Sequence, residues 1–417
     1  MGKRPLGLKA TKNNKKSRTL ANNAATVPDN RSSGQSETSY TTVALRTTSA
    51  TDQDKDGPED DGLTIEDLLE LKSQAEDQLA NFRLLSNPES AAESGNLLRG
   101  ICHECHRRVQ LAALEPSREL ECSTMSFLGW ATLELGLFLT PLGADPRAEL
   151  ILPDEPDALN RWCAISSRAL SSEKDSGALS GHFRLVQPTL DLALALLDSK
   201  SDDIVEKLQT WGAVMTEELV KTQIVLSHQL WLISSALEII EAVSPTWDDH
   251  VVESHGQQKL FDKLRTLLES LAMAAANLPV SDDPLDKSRA AVARYSITYQ
   301  LANRALVHGS ALAEKIEDQY FPESEKEPVD EDEFPIDTSD PNYQNTLIAL
   351  NLADQHFTIA KKLMETDPLL KDMGEEVAKD LKTQLSETLL TLGNMLEPGP
   401  KREAVYERAS ELGGFEF

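Results

Sequence analysis

Aromatic residues make up only 5% of this chain, and cysteine is scarcer still, with four residues in 417. Cys102, Cys105, Cys122 and Cys163 are too few to staple a chain of this length, which excludes a disulfide scaffold and suits a reducing compartment. No run approaches 18 consecutive apolar residues, so no segment is expected to span a membrane. The basic N-terminus has no apolar run behind it, so a secretory signal is not expected. The 20 glycines contain no G-x-G, which removes the dinucleotide-binding fingerprint. Gly57–Gly62 and Gly95–Gly100 have P-loop spacing, but Leu63 and Ile101 stand where a lysine must reach the phosphates. There is no G-x-S-x-G nucleophile elbow either. The expectation is a protein that is not an enzyme, with no cofactor and no small-molecule substrate.

What is abundant points to helices. Leu, Ala, Glu, Asp and Lys dominate, while the β-branched and aromatic residues favoured in strands are thin over long windows. Apolar residues reach 40%, ample for a core. The length allows two or three domains or one extended repeat array. The net charge is −28, unevenly spread. Residues 1–20 hold Lys3, Arg4, Lys9, Lys12, Lys15, Lys16 and Arg18 and no acid; removing those seven charges from −28 leaves −35 on the rest. Such an acidic body repels phosphate backbones, so only the tail is suited to touch nucleic acid.

Three regions follow from composition. Residues 1–62 read as a disordered tail: basic over 1–20, then Ser/Thr-rich and acidic over 21–62, with 11 Ser/Thr in the 21 positions of 31–51. Residues 63–150 read as an N-terminal helical region, and 151–417 as a helical-repeat domain interrupted by a Pro-rich acidic loop at 321–341, expected to be mobile. The body opens at Thr64, whose spacing to Asp67 predicts a capping box. Leu68, Leu71, Ala75, Leu79 and Phe82 then recur on one helical face. Further helices are predicted at 91–113, 117–139, 155–173, 181–198, 202–225, 228–243, 251–277, 285–319, 342–366, 368–396 and 400–412, separated by proline and glycine breakers. Helices of this length on short loops predict an all-α fold of stacked antiparallel pairs, a tetratricopeptide- or HEAT-like solenoid. The repeat signal is faint: Ala353, Phe357 and Ala360 fit a second-helix spacing, but Pro368 falls three residues late.

The stretch "LLRGICHECHRRVQLA" at 97–112 contains C-x-x-C-H, the haem-attachment pattern, and C-x-x-C also opens many zinc sites. On a helical wheel, Leu98, Ile101, Cys102, Cys105, Val109 and Ala112 share one apolar stripe, while His103 and Arg107 face away and His106 sits on the flank. A zinc site needs four ligands, and no second C-x-x-C exists. The stretch therefore reads as a core helix with two buried thiols, and a metal site using Cys102 and Cys105 is the minor alternative. In "PTWDDHVVESH" at 245–255, Asp248, Asp249, His250 and His255 have ligating side chains, but acids in a first helical turn are the simpler reading. The basic tail is the strongest local signal and reads as a nuclear-import address, Lys3 and Arg4 above all, with RNA contact as a further possibility.

The start "MGKRPLG" followed by a lysine run, the helix "LLRGICHECHRR" and the segment "KREAVYERASELGG" resemble the fungal enhancer-of-translation-termination family. That family includes the fission-yeast negative regulator of a prolyl-hydroxylase-like 2-oxoglutarate oxygenase. The resemblance extends to the layout of basic tail, acidic linker and helical body. It implies a nuclear, non-enzymatic adaptor with a tetratricopeptide- or HEAT-like body. The implied partners are the oxygenase, a nuclear import receptor and the translation-termination machinery. The implied roles are correct translation termination and regulation of hypoxic gene expression. An RNA- or ribosome-associated translation factor acting through the basic tail is the alternative. The expected compartment is the nucleus, with the cytoplasm as a second one. The resemblance supplies no catalytic residue.

Overall fold

The computed structural model describes residues 62–114, 122–139, 158–173, 183–197, 202–221, 225–243, 254–320 and 336–412. Among these residues there is no strand, and the fold is all-α. The helices are α1 (Ile65–Leu85), α2 (Pro88–Leu114), α3 (Cys122–Leu139), α4 (Ala158–Glu173), α5 (Val186–Leu197) and α6 (Asp202–Val220). They continue as α7 (Leu226–Val243), α8 (Ser254–Ala276), α9 (Pro284–Tyr320), α10 (Pro341–Thr366), α11 (Glu375–Met395) and α12 (Pro400–Glu411). None of them is long and apolar enough to cross a membrane.

Local chemistry sets the helix ends. Thr64 Oγ1 accepts from the Asp67 amide at 3.1 Å while the Asp67 carboxylate accepts from the Thr64 amide at 2.7 Å, the reciprocal box predicted for α1. Asp340 caps α10 by accepting from the Asn342 amide at 2.8 Å, and Pro341 fills the first turn, where its missing N–H goes unused. The single helix predicted over 368–396 is two elements. A 3₁₀ turn, Pro368–Met373, stops at Gly374, whose φ of 95° no helix tolerates, and α11 restarts behind it.

Each helix packs on the next in sequence, although α6 lies more closely on α5 and α8 than on α7. From α9 onward the main contacts are of each helix on the next, α9 on α10, α10 on α11 and α11 on α12, with a lesser contact of α9 on α11. The first helix behaves differently. Besides α2 and α3, α1 packs against α7 and α9, contacts that a linear stack of pairs does not make. At 37 residues, α9 runs about 55 Å and contacts α1, α7 and α10. One apolar core runs from Leu68 to Ala409.

Two helix pairs share a packing register. A Cβ placed on Gly129 of α3 would lie 2.8 Å from Leu170 Cδ2 of α4, with Ala169 beside it. A Cβ on Gly309 of α9 would lie 2.8 Å from Leu350 Cδ2 of α10, with Ala349 beside it. In both pairs the missing side chain lets the helices close up, and in both the glycine precedes its Ala-Leu partner by 40 and 41 residues.

The join between α8 and α9 buries an imidazole. His308, 3% exposed, stacks on Phe261 with centroids 4.3 Å apart and rings 12° from parallel. Burial pushes His308 down to about 4; Asp262 opposes the shift and Lys315 adds to it. Because the folded pKa lies below the ordinary value of 6.5, the unfolded chain binds the proton more readily between those limits. Stability is therefore expected to fall as pH drops from 6.5 towards 4, by up to about 3 kcal/mol from this group. Urea midpoints measured across that range for the wild type and for His308→Phe, which keeps the stacked ring, should separate as pH falls, the wild type losing stability relative to the variant. Parallel curves would contradict this role for His308.

Candidate functional site

A cluster of buried charge gathers on and around α1. Lys72, 2% exposed, pairs with Glu76 one turn on, and its Nζ lies 4.9 Å from the Trp130 ring, 5.5 Å from Trp231 and 5.7 Å from Phe183. The ammonium is thus caged by aromatic faces, whose negative quadrupoles offset lost hydration. The other Glu76 oxygen lies 2.9 Å from His228 Nδ1 of α7, and the His228 ring stacks on Trp231. Burial alone would raise the Glu76 carboxyl, but Lys72 and His228 outweigh it and hold it below the usual range.

Three turns along α1, Arg83 makes a second cluster. Its Nη2 donates to Glu134 of α3 at 3.0 Å, its Nη1 donates to Ser235 of α7 at 2.8 Å, and Nε is ion-paired with Glu238. Burial works against the guanidinium, yet the two carboxylates, Glu238 foremost, push its pKa up. Glu134 shows the opposite balance. Its burial raises it, Arg83 does not fully compensate because it is shared, and Glu238 and Glu76 repel it further. At the outer face of the same helix, Asp77 Oδ1 accepts from Arg289 of α9 at 2.6 Å, and Arg289 also pairs with Asp286. Asn81 adds a neutral contact, donating to Ser90 of α2 at 3.0 Å.

Between the two clusters and α5, α6 and α7 lies a cavity of about 30 Å³, lined by Arg83, Trp130, Glu134, Trp211, Trp231 and Glu238 among others. That volume holds one or two waters. It is far below the ≈ 300–1,000 Å³ of a small-molecule site. The Trp211 indole donates to Thr189 at 3.0 Å, and Trp130 meets Trp231 edge to face at 6.5 Å. The centre is built to hold helices in register.

The residues singled out by sequence motif fare differently. Leu98, Ile101, Cys102 and Cys105 are buried in α2, and Val109 and Ala112 are half-buried, so the stripe is widest in the middle of the helix. Both thiols are free, and burial pushes each up to about 12, far from the thiolate that would bind metal. His103 and His106 are exposed, so they do not share the cysteines' face. Glu104, between the cysteines, is held by Arg107 and Arg108 at 2.8–3.1 Å. Among the described residues no group of three or more His, Cys, Asp and Glu side chains is placed to hold a metal ion. Lys3, Arg4, Lys9, Lys12, Lys15, Lys16 and Arg18 lie outside the described residues, as do Asp248, Asp249 and His250. Residues 321–335 of the acidic loop also lie outside them, whereas Ile336, in the part of the loop that is described, is buried in the core.

No protein-family model, curated protein or solved structure matches this chain. The charged centre on α1 was not foreseen from sequence. The i, i+4 spacing of Lys72 and Glu76 was its one visible trace, and such pairs are usually solvated.

Replacing Arg83 leaves two carboxylates facing a closed interior. Arg83→Met is expected to cost about 3–5 kcal/mol, and adding Glu134→Gln should return part of the loss. Chemical denaturation of the three proteins checks this; a loss below about 1 kcal/mol would mean that the cluster is hydrated and unimportant.

Proposed function

We propose that this chain is a non-enzymatic nuclear adaptor that binds a prolyl-hydroxylase-like 2-oxoglutarate oxygenase. Through that complex it serves correct translation termination and the regulation of hypoxic gene expression. The partner and the pathway come from the family resemblance of "MGKRPLG", "LLRGICHECHRR" and "KREAVYERASELGG". The body is read as a divergent tetratricopeptide- or HEAT-like stack. The observation that carries this reading is the shared Gly-to-Ala-Leu register of α3/α4 and α9/α10, the kind of packing that repeated helical hairpins retain after their sequences diverge. In such a scaffold the helical body presents surface to the partner, and the basic tail 1–20 recruits the import receptor.

The tail's seven positive charges also favour the second reading, a translation factor that touches RNA or the ribosome directly. The two separate cleanly. In native cells, full-length protein and a variant lacking residues 2–20 should both recover the oxygenase near stoichiometry, and only the variant should fail to accumulate in the nucleus. Failure of the full-length protein to recover an oxygenase would overturn the adaptor reading. RNA binding that weakens steeply with salt and disappears with the tail would establish the second.

A further inference from the structure

The outer face of α10 is out of character with the rest of the chain. Between Pro341 and Ile359 every exposed position is uncharged: Pro341, Asn342, Gln344, Asn345, Ile348, Asn351, Gln355, Thr358 and Ile359. Charged residues are 26% of the protein, and its net charge is −28. Asp354, the carboxylate within this span, is turned aside into a two-bonded pair with Arg408 of α12 at 2.7 and 3.0 Å. Ile348 and Ile359 are 60% and 48% exposed, and half-buried Leu352 lies between them. At 100° per residue these three side chains and Gln355 fall within about 60° of one direction, opposite buried Leu350, Ala353 and Phe357. Depletion of charge around exposed aliphatic residues is the compositional mark of an interface core.

We propose that this face pairs with a second copy of the same chain, with the two α10 helices antiparallel across a twofold axis. Charge selects the occupant. A basic partner would gain most from the acidic surface found elsewhere, and would gain nothing from the uncharged face. Another copy is strongly acidic, so the approach of least repulsion is through this face on both molecules. The chemistry is self-complementary as well. Side-chain amides such as Asn345 and Gln355 both donate and accept, so identical surfaces can satisfy each other. With the axis between Ala353 and Asp354, Ile348 meets Ile359 of the second copy, and Leu352 meets Gln355 of the second copy. One helix face is small for an interface, so the dimer is weak. Because its assembly opposes the repulsion of two acidic bodies, salt strengthens it.

Sedimentation velocity on the full-length protein, from about 1 to about 200 µM, tests this. A monomer–dimer equilibrium that shifts toward dimer as salt rises is the expected result. Ile348→Lys should be monomeric with an unchanged thermal transition, since the position is exposed. The double variant Ile348→Lys, Ile359→Glu should regain the dimer, because each new lysine then faces the other copy's new glutamate. A monomeric wild type would overturn the proposal and leave the face to a different uncharged partner. A dimer that weakens with salt would overturn it too, pointing to the basic tail of one copy on the acidic body of another. So would an Ile348→Lys variant that dimerises like the wild type, or a double variant no better than the single one.

Discussion

Three cationic or carboxylate side chains of α1, Lys72, Glu76 and Arg83, sit almost without solvent inside this protein, and the arrangement of the other helices follows from where they find partners. Removing a charge from water costs several kcal/mol unless it is paired and hydrogen-bonded. Each of these charges meets that demand through a different neighbour: Glu134 on α3, His228, Ser235 and Glu238 on α7, and the rings of Trp130 and Trp231 around Lys72. Asp77 does the same toward α9 through Arg289. Apolar packing alone tolerates sliding along a helix axis. A set of short ion pairs to three helices does not, because any shift strands a charge. We read the network as fixing register more than adding net stability.

This constraint separates the two ends of the fold. Around α1 the helices close on one another, with α7 and α9 brought back to a segment that precedes them by more than 140 residues. From α9 to α12 packing on the next helix dominates, and the links there are lighter: Tyr343 of α10 donating to the Met395 carbonyl of α11 and, each skipping one helix, Tyr299 of α9 to Asp380 of α11 and Arg408 of α12 to Asp354 of α10. The long helix α9 belongs to both ends. Gly309 and His308, adjacent on it, serve the close approach to α10 and the stack on α8 respectively.

The helices themselves were legible because their signals are local. Amphipathic spacing, the Thr64–Asp67 box and the proline breakers place eleven of the twelve helices to within a few residues, and the stripe containing Cys102 and Cys105 is buried as the wheel predicts. The break at Gly374 was missed because one glycine in a leucine- and lysine-rich run costs a helix only about 1 kcal/mol, too little to predict a stop. The closure of α1 on α7 and α9 was invisible for a different reason. Glu76 and His228, or Asp77 and Arg289, carry nothing in their own neighbourhoods to say that they are partners. The same holds for the uncharged stretch of the α10 face over 341–359: each Asn or Gln is ordinary, and only the known orientation of the helix gathers them onto one side.

If α1 is the element on which the register of the body depends, it cannot open without the body unfolding. Native-state hydrogen exchange along the full-length protein tests this directly. The amides of α1 around Lys72–Arg83 should exchange only through global unfolding, with the same denaturant dependence as those of α3 and α7, while the last helix, α12, exchanges through smaller openings. Exchange of α1 at a lower free energy than α3 and α7 would show that it is an accessory helix laid on a body assembled without it, and the account would fail.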